Sequence, residues 1–169
     1  MSSKPLSQSG SGSLFPEEVN SRESPHTQPV SWITANVDGG ARGNPGPAGY
    51  GVYIRDGSGA PIKQMSEYIG HKTNNFAEYS ALLAALQFAV DNGHKALKVI
   101  SDSELMVRQM TGRYRVSSPD LKPLYEKARS LVRQLENFRI EHVLRAQNKH
   151  ADGLANEAMD RGMGKMRRD

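Results

Sequence analysis

The sequence predicts an α/β domain built on a mixed five-stranded sheet, three antiparallel strands and then parallel ones, flanked by helices. Three observations predict it. Runs rich in β-branched and aromatic residues, at 32–38, 50–55 and 62–69, are separated by segments rich in glycine, proline and aspartate. Apolar residues then recur every three or four positions from Asn75 to Asp91. Beyond that helix, two more short apolar runs alternate with helical patterns, the arrangement that places parallel strands under covering helices.

In chain order, residues 1–30 are rich in Ser, Gly and Pro and offer few large apolar side chains, so a disordered tail is expected there. The folded domain is expected over 31–160, and 161–169 forms a basic tail carrying Lys165, Arg167 and Arg168. Trp32, Ile33 and Val37 lead a first strand to Asp38, where the following glycines and prolines are expected to break regular structure. Asp56-Gly57-Ser58-Gly59 is a hairpin signal between the second and third strands. Phe76, Tyr79, Leu83, Leu86 and Val90 give the first long helix one apolar stripe, and Asn92-Gly93 ends it. Leu97 to Ile100 suits a buried strand, followed by a helix from about Ser103 to Met110 that Thr111-Gly112 breaks. A helix from about Pro119 carries Leu121, Leu124, Ala128, Leu131, Val132 and Leu135. Phe138 to Leu144 forms the fifth strand, and a last helix starts at Asn148.

A chain of 169 residues suffices for one domain with one core. Its net charge is +4, and because residues 1–30 hold two cations against three acids, the rest carries +5, which fits a polyanionic partner. The lack of cysteine excludes disulfides, thiolate metal sites and cysteine nucleophiles, so a metal here must use oxygen or imidazole. The longest apolar stretch, around Ala81 to Val90, is interrupted by Gln87 and falls short of the roughly 20 residues of a membrane span. No secretory or organelle signal begins the sequence, so a cytoplasmic monomer without membrane association is expected.

Four carboxylates stand at element boundaries: Asp38, Glu78, Asp102 and Asp152. Three have ordinary structural explanations. Asn75-Phe76-Ala77-Glu78 has capping-box spacing, Asp102 can cap the next helix, and Asp152 suits the dipole of a helix start. Asp38 caps nothing, and a buried carboxylate without a partner is costly. If the fourth strand pairs in parallel with the first, Asp38 and Asp102 meet at one end of the sheet. Their repulsion calls for a divalent cation, and Mg²⁺ takes carboxylates, waters and phosphate oxygens. Two such ions about 4 Å apart serve phosphoryl displacement. Nuclease, kinase and phosphatase chemistry all remain open at this point.

The motifs Asp38-Gly39-Gly40-Ala41-Arg42-Gly43-Asn44-Pro45-Gly46-Pro47, Thr73-Asn74-Asn75-Phe76-Ala77-Glu78, Ser101-Asp102-Ser103 and Asn148-Lys149-His150-Ala151-Asp152 resemble those of type 1 ribonuclease H, in the same order. The resemblance runs from about Ile33 to Met159. It implies an endonuclease that cuts the RNA strand of an RNA/DNA hybrid and leaves a 5′-phosphate and a 3′-hydroxyl. It implies two Mg²⁺ ions, with Mn²⁺ as a substitute: Asp38 bridges both, Asp152 helps hold the one that activates water, and Glu78 and Asp102 hold the other. Gly43, Asn44, Asn74 and Asn75 match positions that sense the 2′-hydroxyl edge, and Thr73 matches one that grips a DNA phosphate. A turn at Asn44-Pro45 and a helix cap at Asn74 or Asn75 are the structural alternatives.

Two departures stand out. Many family members carry a histidine on a longer loop before the last acid, whereas Arg145-Ala146-Gln147-Asn148 is short here, leaving Arg145 or His150 as auxiliaries. Larger members insert a basic protrusion where this chain has only Gly112-Arg113-Tyr114-Arg115, in which Tyr114 could stack and the arginines meet phosphates. Two other functions compete. One is a non-catalytic module binding RNA/DNA hybrid or double-stranded RNA, against which the full set of acids argues. The other is a DNA nuclease of the same fold, against which the asparagines argue.

Overall fold

A computed structural model describes residues 30–164 of the chain. The expected N-terminal tail, and Lys165, Arg167 and Arg168 of the basic tail, lie outside the described residues. The elements are β1 (Trp32–Ala41), β2 (Gly46–Arg55), β3 (Pro61–Lys72), α1 (Asn74–Asp91), β4 (Ala96–Ser101), α2 (Glu104–Met110), α3 (Lys122–Val132), β5 (Asn137–His142), a 3₁₀ turn (Arg145–Gln147) and α4 (Lys149–Gly162). The sheet order is β3-β2-β1-β4-β5. The β1–β2 and β2–β3 pairs are antiparallel, while β1–β4 and β4–β5 are parallel. This is the mixed sheet that the sequence predicts, with helices on both faces.

Strand alternation separates those faces by chemistry. Ile33, Ala35, Val37, Val52, Ile54, Leu97 and Val99 join Tyr79, Leu82 and Leu86 of α1 in one buried core, and Ala128 and Leu131 of α3 close it from outside. On the opposite side stand Thr34, Asn36 and Asp38, with Arg55, Tyr53 and Gly51 as their β2 register partners. There α4 buries only Ala151, Ala155, Ala158 and Met159.

One expectation fails instructively. The strand does not end at Asp38: β1 runs through Gly39 and Gly40 to Ala41, and β2 resumes at Gly46. These glycines serve close packing more than turning. A Cβ on Gly39 would lie 2.3 Å from the Ala77 carbonyl carbon of α1, and one on Gly51 would lie 2.4 Å from the Ala151 oxygen of α4. Helix backbone therefore rests directly on strand backbone at the end of the sheet where Asp38 sits. The true turn is confined to residues 42–45, where Gly43 has φ +100°.

Other boundaries shift by a few residues. Thr73, not Asn75, caps α1, its Oγ1 accepting from Phe76 N at 3.1 Å. Ser103, not Asp102, caps α2, accepting from Met106 N. The third helix begins at Lys122, with Pro123 in its first turn where a missing N–H costs nothing. Strand β5 stops at His142 and leaves Leu144 exposed, while α4 continues two residues into the expected tail. At the β2–β3 hairpin Asp56 Oδ1 accepts from Ser58 N and Ala60 N at 2.9 and 3.0 Å, as its sequence predicts. No helix among the described residues is long and apolar enough to cross a membrane.

Candidate active site

Asp38 is buried at the C-terminal end of the stretch of β1 that pairs with β4. Val37 lies opposite Ser101 in the parallel register, so Asp102, the next residue, emerges beside Asp38. Glu78 arrives from the other direction. With Thr73 as the cap, it falls in the second turn of α1, over the point where that helix rests on Gly39. The Gly39 N–H donates to Oδ1 of Asp38 at 3.0 Å and to Oε1 of Glu78 at 3.2 Å. One oxygen from each of Asp38, Glu78 and Asp102 lies within 4.8 Å of the others. Glu78 and Asp102, which looked like capping residues, are thus freed from capping and turned toward Asp38.

Asp152 comes from the first turn of α4 and lines the same cleft, a cavity of about 450 Å³. Its Oδ1 accepts from Arg145 Nη2 and its Oδ2 from Asn156 Nδ2, both at 3.3 Å. The cations lining the cleft are Arg42 and Arg145, and neither stands within the carboxylate trio. Ionising all three carboxyls together is accordingly disfavoured. Burial first, then the charges of Asp102 and Asp152, push the Asp38 carboxyl up to about 8. Burial, then Asp38 and Asp102, push Glu78 well above the usual carboxylate range. Asp102 is also raised, burial outweighing the opposing pull of Arg145. Crowded, desolvated carboxylates, which offer hard oxygen donors, suit a divalent cation.

A polar rim adjoins the trio. Asn74 Oδ1 accepts from Ala41 N at 2.8 Å, and Asn44 Oδ1 accepts from Asn74 N at 2.9 Å, tying the turn at 42–45 to the start of α1. Because the backbone uses both side-chain carbonyls, the NH₂ groups are what these amides offer a ligand. Gly43, Asn44, Asn74 and Asn75 are exposed beside Thr73. His150 is directed elsewhere: its ring stacks on Tyr53 at 3.7 Å between centroids, with Nε2 3.3 Å from Gln64 Oε1. Arg145 stands at the acids, three-quarters exposed. Tyr114 is half exposed, with the Arg108 guanidinium 5.4 Å from its ring centre.

Several residues of the site were missed in the sequence. Arg55 Nη2 donates to Asn36 Oδ1 at 2.8 Å, Asn36 Nδ2 to Asn148 Oδ1 at 2.9 Å, and Asn148 Nδ2 to the Val37 carbonyl at 2.9 Å. This buried relay fixes the start of α4 against β1, one residue before Asp38. Arg42 likewise spans to α4, reaching Asp160 at 2.7 Å and Asn156 at 3.2 Å. The one available signal was that Asp152, Asn156 and Asp160 recur every four residues as a polar stripe.

The Reverse transcriptase-like family model matches residues 36–158, which include all four acids and the polar rim. The chain belongs to the type 1 ribonuclease H family. Two curated relatives illustrate the kinship. Ribonuclease HI of Halobacterium salinarum is 43% identical over 128 residues, 76% of this chain and 64% of that protein. The bifunctional protein Rv2228c of Mycobacterium tuberculosis is 47% identical over 130 residues, 76% of this chain and 35% of that protein. The chain therefore spans 64% and 35% of the length of these two relatives. Among solved structures, LC11-RNase H1 from compost, in complex with RNA/DNA hybrid, superposes with a TM-score of 0.73 at 44% identity, over 78% of this chain and 99% of that one.

Proposed function

We propose that the chain is a ribonuclease H that hydrolyses the RNA strand of RNA/DNA hybrids, leaving a 5′-phosphate and a 3′-hydroxyl. The observation that carries this reading is the juxtaposition of the carboxylate trio with the polar rim at one end of the sheet. Asp38, Glu78, Asp102 and Asp152 are the residues that would hold two Mg²⁺ ions, and Mn²⁺ satisfies the same oxygen donors. When bound there, such ions neutralise phosphate charge and lower the pKa of water.

The protein's own groups do the rest. Gly39 N–H holds one oxygen of Asp38 and one of Glu78, which orients both carboxylates before any ligand arrives. The amides of Asn44, Asn74 and Asn75 and the backbone at Gly43 present donors to a minor groove, where the 2′-hydroxyl distinguishes RNA from DNA. Thr73 Oγ1 accepts from the helix backbone, so its proton is free to meet a DNA-strand phosphate. Arg145 supplies positive charge beside Asp152. The complex of LC11-RNase H1 with hybrid supports the substrate class.

The test is incubation with labelled RNA/DNA hybrid, duplex DNA and duplex RNA, with and without Mg²⁺. Metal-dependent cutting confined to the RNA strand of the hybrid is expected. Hybrid bound but uncut under every condition would identify a binding module instead, and cleavage of duplex DNA would redirect the assignment to a DNA nuclease.

A further inference from the structure

We infer that Arg42 and Asn156 are positioning residues that hold Asp152 as a cation ligand and couple it to the turn at 42–45. This rests on the reading of the acidic cleft as a divalent-cation site.

Asp38, Glu78 and Asp102 are placed by the strand register and by the contact of α1 with Gly39. Asp152 stands instead on the start of α4, which Asn148 ties to β1, and it is not among the three acids whose oxygens lie within 4.8 Å of one another. Arg145 meets its Oδ1, and its Oδ2 is held by a row of side chains on one face of α4. Asp152, Asn156 and Asp160 are spaced four residues apart, and Arg42 reaches across to the last two. The chemistry of the row permits one orientation. A guanidinium only donates and a carboxylate only accepts. An amide between them must turn its oxygen to Arg42 and its NH₂ to Asp152, as the distances of 3.2 and 3.3 Å record. Asp160, 2.7 Å from Nη1, fixes the far end of the guanidinium. The Arg42 backbone is itself fixed, its N–H donating to the Pro47 carbonyl at 2.8 Å across the turn. A shift of that turn therefore moves Asn156, and with it the carboxylate of Asp152.

The experiment follows thermal unfolding of the whole chain while Mn²⁺ is titrated, for the parent protein, Asn156→Ala, Arg42→Ala and the double variant. A bound ion raises Tm, so the half-saturating concentration is read without any cleavage. Each single variant is expected to raise that concentration by about 10-fold, the lower end of the loss usual when a partner of a metal ligand is removed. The double variant adds nothing further, because either change breaks the same relay. Arg42→Lys is expected to match Arg42→Ala, since an ammonium lacks the planar fork that spans two acceptors. Asn156→Ser and Arg42→Lys carry the test should the alanine variants not fold. Unchanged half-points with a constant Tm offset would make these residues merely structural and overturn the relay, as would additive losses. A parent protein whose Tm ignores Mn²⁺ would overturn the cation site itself. A parent that responds, with variants that respond identically, overturns the relay alone.

Discussion

The two faces of the sheet are built on different principles. The α1 face is apolar and interlocks large side chains, with Leu82 and Leu86 fully buried against Val37, Val52 and Val99. The α4 face carries Asn36, Asp38, Gly51 and Tyr53 and meets a helix whose buried residues are mostly alanine. Burying one leucine contributes about 1.5–3 kcal/mol, whereas an alanine on a glycine contributes little area but allows close approach. One face supplies cohesion. The other gives up apolar area so that α4 can bring Asp152 to the end of β1, and replaces that area with hydrogen bonds such as Asn148 to Val37.

Four substitutions break or sharpen this contrast. The largest effect is expected for Asp38→Asn, a loss of cleavage of at least about 1000-fold, the scale for removing a group that acts on transition-state charge. The same variant should raise the Tm of the ion-free protein, since repulsion within the trio is relieved. The pH dependence has a defined sign. Asp38 titrates near 8 in the fold against about 3.9 when unfolded. Its contribution to the stability of the ion-free protein is therefore fully present below about pH 4 and is lost as pH rises toward 8. Cation binding runs oppositely and tightens over that range, which a Mn²⁺ titration of Tm at several pH values will show.

On the apolar face, Leu86→Ala should lower unfolding stability by about 2–5 kcal/mol in urea while leaving the Mn²⁺ half-point unchanged. Gly51→Ala places a Cβ 2.4 Å from the Ala151 oxygen, lifting α4 off β2. A smaller stability loss of about 1–3 kcal/mol is expected, together with a weaker ion half-point, and that combination separates the two faces. His150→Ala, which removes the ring stacked on Tyr53 and its contact with Gln64, should cost less than about 1.5 kcal/mol and leave cleavage rates unchanged. A tenfold fall in rate would bring His150 back toward the acids.

Much of this was legible in the sequence because it depends on neighbours along the chain. The helix from Asn74 to Asp91 and the Asp56 turn appear in the order and class expected, but of the expected stripe Tyr79 and Leu86 are buried while Phe76, Leu83 and Val90 are half-buried, and Ala77, Ala81, Leu82, Ala85 and Ala89 complete the buried face. The approach of Asp38 to Asp102 also followed from one rule about parallel pairing. Cap assignment was less accurate. Asn75, Thr73 and Ser103 all have capping side chains, and only the backbone path shows that Thr73 and Ser103 accept the helix N–H groups. The pairing of Asn36 with Asn148 gave no signal, the two amides being 112 positions apart and brought together only through the fold.

Asp38 and its glycines show where the division falls. The order of elements, the candidacy of the four acids and the lack of any thiol chemistry could be read from the chain alone, because periodicity, turn chemistry and composition act locally. Only the tertiary structure decided that Gly39 and Gly51 lie within strands with helix backbone against them. Only it decided that Glu78 turns toward Asp38, and that Arg42 reaches α4. Each of these depends on how closely two distant segments approach, and that distance is set by the packing of the whole domain.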